Sequence, residues 1–126
     1  MLAEGISMNR LLIIILIFAA SRASAQIVVI DDGHAMLPHC RSALLHTDHY
    51  TLEEGFCVGT VRTVATFGQL LPETYRFCPP RNVTREVILR VVVDYLEGRP
   101  EDRNSALWQI ADSAFQHAWP CNERTG

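Results

Sequence analysis

The residues that invite a chemical reading first are histidines. His34, His39, His46 and His49 fall in one short stretch, with Cys40 and Asp48 among them. Imidazole, thiolate and carboxylate are donor types that hold zinc or copper. Their spacing matches no defined ligand pattern, and Pro38 interrupts any single helical face that would gather them. They read instead as surface histidines, with a metal-binding protein kept as an alternative. His117 and Asp112 can be set against each other as an acid–base couple. No Gly-x-Ser-x-Gly, His-Glu-x-x-His or phosphate-cradling glycine loop occurs. The acidic pairs Asp31/Asp32, Glu53/Glu54 and Glu101/Asp102 each stand at a helix start or loop, where carboxylates meet the positive end of the helix dipole. The components of a catalytic site are missing, so neither an enzyme nor a cofactor is expected.

The remaining reactive side chains are four cysteines, Cys40, Cys57, Cys78 and Cys121. Their chemistry depends on compartment. Arg10 precedes the apolar run Leu11 to Ala20, and Ala23-Ser24-Ala25 offers the small-x-small pattern of signal peptidase. Residues 1–25 are therefore expected to be a secretory signal cleaved before Gln26. Met8 is an alternative start to Met1. The apolar run is too short for a membrane span, which needs about 20 residues. The exported part, residues 26–126, is then a single small domain. Removing Arg10, Arg22 and Glu4 with the signal leaves nine cations against thirteen acids, net −4. That charge gives no basic surplus for nucleic acid or anionic lipid. An even number of thiols in a small exported chain, with no Cys-x-x-Cys pair, points to two disulfides.

The elements that must position these groups read as helices. Asp31 or Asp32 caps a first helix through "GHAMLPHCRSALL", whose early part Pro38 should kink or unwind. The preceding "QIVVI" reads as a terminal strand or a leader. Thr51 and Glu54 form a capping box for a second helix, with Phe56, Cys57, Val61, Val64, Ala65, Phe67 and Leu71 near helical spacing and Pro72 as the stop. Thr84 caps a third, with Val87, Ile88, Val91, Val92, Tyr95 and Leu96 as its buried face. The β-branched run in "VILRVVV" is also compatible with a strand, but Gly98 as the residue past the end and Pro100 beyond it argue for a helix stop. A fourth helix starts at Asn104 or Ser105, turns Leu107, Ile110, Ala111, Ala114, Phe115 and Ala118 inward, and ends at "WPC".

The expected fold is thus all-α: a small antiparallel bundle of about four helices stapled by two disulfides. Of the three possible connectivities, that order favours Cys40–Cys57 and Cys78–Cys121, since each pair brackets helix ends that should be neighbours. Each bridge is worth about 2–4 kcal/mol. Within this frame Asn82-Val83-Thr84 is a glycosylation sequon in form, yet Thr84 is wanted as a helix cap. Among the amphipathic aromatics Tyr50, Trp108 and Trp119, Trp108 beside Leu107 reads as core. The charged loop Glu97 to Asn104, fixed by Gly98 and Pro100, reads either as a solvated turn or as a surface presented to a protein.

The segments "LPHCRSAL", "FCVGTV" and "FCPPRNVTREVILRVVVDYLEGRPEDRNSALWQIADSAFQHAWPC", following a signal peptide, resemble the Rap/Tai family of periplasmic immunity proteins against type VI secretion amidase effectors. One departure is Thr60 after Cys57-Val58-Gly59, where the family commonly carries Tyr. The resemblance implies an all-α fold, no catalysis and a periplasmic location. It also implies a peptidoglycan amidase toxin as the partner, bound and occluded at its active site, and a homodimer. Carried onto this chain, it points to Glu97, Arg99, Glu101, Asp102 and Arg103 as toxin contacts. No nucleic acid is expected as a partner, and no membrane once the signal is cleaved. The alternative is a periplasmic structural or chaperone-like module whose histidines respond to pH.

Overall fold

The computed structural model describes residues 31–46 and 48–122; the expected signal peptide and the "QIVVI" run lie outside them. Four α-helices form the bundle: α1 (Gly33–Leu45), α2 (Leu52–Phe67), α3 (Arg85–Gly98) and α4 (Leu107–Ala118). Short 3-10 turns at Gly68–Leu70, Glu73–Tyr75 and Pro100–Asn104 occupy the connections. Around the bundle α1 packs on α2, α2 on α4, α4 on α3 and α3 on α1. α2 and α3, joined by the long connection, also touch across the bundle.

Local chemistry sets the helix starts. The Asp32 side chain accepts the Ala35 N–H at 2.8 Å and so begins α1. The helix then runs unbroken through Pro38, so its early part is not unwound there. The backbone bond that proline deletes is the one to the carbonyl of His34, an exposed residue on the solvent side. Thr51 and Glu54 make the reciprocal capping box, at 3.2 and 2.9 Å, that opens α2. Thr84 accepts from Val87 N at 3.4 Å and opens α3, which makes "VILRVVV" a helix. Its buried residues Ile88, Leu89, Val92, Val93 and Leu96 recur at helical and not strand spacing. Val87, expected inside, is exposed.

Three boundaries differ from those read in the sequence. α2 ends at Phe67, several residues before Pro72, because the chain tightens into a 3-10 turn at Gly68. The ring of Phe77 lies where a side chain at that position would stand: an added Cβ would meet Phe77 Cζ at 1.9 Å. Gly98 is the last residue of α3 rather than a left-handed residue beyond it; the one positive φ among the described non-glycine residues is at Asn82, in the turn before Thr84. α4 begins at Leu107, after a 3-10 turn that absorbs Asn104. Its first amide is met from afar: Leu107 N–H donates to the Asp31 carbonyl at 2.7 Å, and Gly33 N–H donates to Ser105 at 3.2 Å.

Both disulfides join the expected pairs. Cys40–Cys57 ties α1 to α2, and Cys78–Cys121 ties the segment before α3 to the segment after α4. Beside the second bridge Phe77, Phe115 and Trp119 form an aromatic ladder, with centroids 5.1 and 5.3 Å apart. The core collects there and along the inward faces of all four helices.

Candidate partner-binding surfaces

Two surfaces stand out, one charged and one apolar. The charged one is the α3–α4 corner. Arg103 folds back onto the end of α3, donating to the Leu96 carbonyl at 2.7 Å and the Glu97 carbonyl at 3.3 Å. A guanidinium thus covers the carbonyls a helix end leaves unpaired, at the negative end of its dipole. Asp102 accepts the Tyr95 hydroxyl at 2.8 Å, and the Arg99 guanidinium sits 5.0 Å above the Tyr95 ring. Burial, and then the bond to Asp102, pushes the Tyr95 phenol above its ordinary value. Glu97 reaches back to Arg41 on α1 at 2.6 Å, on the surface. Glu101 is exposed. The five residues proposed from the resemblance therefore lie together, and four of them are also tied into the fold.

The apolar surface was not read from the sequence. It is a groove of about 720 Å³ between α2 and α4, walled by Phe67, Leu71, Tyr75 and Trp108. A shallower extension past Thr63, Val64 and Trp108 reaches Phe56 and Asp31. Trp108 was expected in the core and is 54 % exposed. Phe56 and Phe67, part of the apolar pattern at near-helical spacing along α2, are also exposed. The signal was present in part: the apolar residues of α2 span too wide an arc for one buried stripe. Neighbours such as Phe56 and Cys57 point about 100° apart on a helix, so one can be buried while the other is not.

Asp112 lines this groove and is only 6 % exposed. Its Oδ2 accepts from Gln116 Nε2 at 2.6 Å, while its Oδ1 is buried with no hydrogen-bond partner. Burial pushes the carboxyl above its ordinary pKa, against the opposing effect of the Gln116 bond. His117 does not reach it: that ring is exposed and meets Tyr95 edge-on at 6.2 Å, so the suggested acid–base couple is not assembled. The early histidines do not converge either. Cys40 is disulfide-bonded, and His46 Nδ1 lies 3.3 Å from Glu54, which also accepts from Ser42. Among the described residues no group of three or more His, Cys, Asp or Glu is placed to hold a metal ion, and no helix is long and apolar enough to cross a membrane.

A family model, Rap1a immunity proteins, matches residues 32–121, which include both disulfides and all four helices. No curated protein and no solved structure matches the chain.

Proposed function

The chain belongs to the Rap1a immunity protein family, and on that premise we propose that it acts in the periplasm against a peptidoglycan amidase toxin delivered by type VI secretion. Family membership supports a role as an immunity protein for a secreted toxin, acting as an inhibitor rather than as an enzyme. Two disulfides agree with an extracytoplasmic site of action.

Inhibition in this reading is steric. The corner formed by Glu97, Arg99, Glu101, Asp102 and Arg103 enters the toxin's catalytic cleft and excludes the cell-wall peptide. The observation that carries the reading is the internal bracing of that corner by Arg103 on the end of α3 and by Tyr95 on Asp102. A loop already held in one conformation loses little entropy on docking, which favours tight binding. The exposed carboxylates Glu97 and Glu101 would speed encounter with a cationic cleft.

The test uses the purified, oxidised protein and candidate peptidoglycan amidase effectors of type VI secretion. Complex formation and loss of cell-wall peptide hydrolysis are expected, and Glu101→Arg should weaken both. Neither a complex nor inhibition with any such amidase would sink the proposal.

A further inference from the structure

The two disulfides differ in how a reagent can reach them. Cys40 and Cys57 are each 0 % exposed, and their bond lies between α1 and α2. Close by in the chain, Ser42 on α1 donates to Glu54, a buried carboxylate that also accepts the Thr51 N–H at 2.9 Å at the start of α2. A thiol reaches that bond only once α1 has parted from α2, which breaks the core. Cys78–Cys121 lies outside the helices. Cys78 is exposed, Cys121 is half-buried, and Pro120 and Asn122 on either side of Cys121 are exposed.

The chain beside the second bridge is also held without it. Phe77 is fully buried and packs on Phe115 at 5.1 Å, and Trp119 stacks on Phe115 at 5.3 Å. The Cys78 N–H donates to the Trp119 carbonyl at 2.8 Å. These contacts keep the two segments side by side when the sulfurs separate, so the bond can open locally.

We propose that Cys78–Cys121 is a site of thiol–disulfide exchange, opened in the folded protein by a dithiol reductant while Cys40–Cys57 stays closed. A reductant thiolate attacks the Cys78 sulfur, the more exposed of the two, and Cys121 leaves as a thiolate. The reductant's second thiolate then attacks its own first sulfur in the mixed disulfide, and Cys78 leaves as a thiolate. The bridge gains two electrons and the reductant ends as a disulfide. The buried bridge acts as the permanent staple, and the exposed one is exchangeable.

The oxidised protein is treated with dithiothreitol under native conditions, quenched in acid at intervals, labelled with N-ethylmaleimide and mapped by peptide mass. Cys78 and Cys121 should be labelled at least about tenfold sooner than Cys40 and Cys57. The species with only that bridge open should keep dispersed Trp108 and Trp119 indole signals in NMR spectra. The difference in rate should disappear in denaturant, where both bridges are open to solvent. Labelling of all four cysteines together, or of Cys40 and Cys57 first, overturns the proposal. So does an opening rate independent of dithiothreitol concentration, which would mean that unfolding comes first. A difference that persists undiminished in denaturant also overturns it, because local sequence and not the fold would then be the cause. A thioredoxin-type reductant whose second cysteine is replaced by serine should be trapped on Cys78, and trapping on Cys121 overturns the order of attack.

Discussion

The charged corner and the apolar groove are built on opposite principles. At the corner, groups that look available are engaged: Arg103 closes the end of α3, Asp102 holds Tyr95, and Glu97 holds Arg41. In the groove, groups that look like core are open: Trp108, Phe67 and Tyr75 are each more than half exposed. The corner contributes shape and stability; the groove offers unmatched surface. A charged residue in a sequence is thus not free by virtue of its charge, and an aromatic residue is not buried by virtue of its ring.

That contrast can be broken at several points. The largest effect should come from the double substitution Cys78→Ser with Cys121→Ser, since the bridge fastens the connection that carries Leu71 and Tyr75, one wall of the groove. A loss of about 2–4 kcal/mol is expected, read as a lowered midpoint in chemical denaturation. Arg103→Ala should cost about 1–3 kcal/mol, because it uncovers two helix-end carbonyls. Were the corner only a solvated turn, the change would lie within about 0.5 kcal/mol, as for ordinary surface substitutions.

Asp112→Asn should go the other way. Burial raises the folded-state pKa of Asp112. The native state therefore holds its proton more tightly than the unfolded chain, and stability falls as pH rises from the unfolded value, about 3.9. The amide removes that penalty. The variant should match or exceed wild-type stability at pH 7 in thermal melts, and the gain should vanish below about pH 4. Trp108→Ala should show the smallest effect on stability, within about 0.5 kcal/mol, although it removes the largest side chain of the groove. A large loss would make Trp108 core after all and erase the contrast.

How much of this was legible in the sequence follows from how local each cause is. Thr51, Glu54 and Thr84 announce their caps within four residues, so the starts of α2 and α3 could be placed from the chain alone. The disulfide pairs were legible because each joins ends that the helix order brings together. The end of α3 was not: Gly98 and Pro100 mark the neighbourhood, but the carbonyls are closed by Arg103, a side chain arriving from beyond the turn. The start of α4 was missed by a similar route, since Leu107 takes its partner from Asp31 at the far end of the domain. Trp108 was misplaced because burial of Leu107 says little about the next residue on a helix. The half-satisfied state of Asp112 was invisible for another reason, since it depends on donors that packing fails to bring near.

The Phe77 ring pressed against Gly68 has a consequence for how this chain can change over time. With the Cβ position of Gly68 already filled by the ring, neither residue is free to drift alone. Alanine at 68 collides with phenylalanine at 77, and a smaller residue at 77 opens a void beside Phe115. The pair therefore behaves as one heritable unit. Among descendants of this chain the two positions should change in concert, and in a double-mutant cycle of Gly68→Ala with Phe77→Leu the second substitution should relieve part of the damage done by the first.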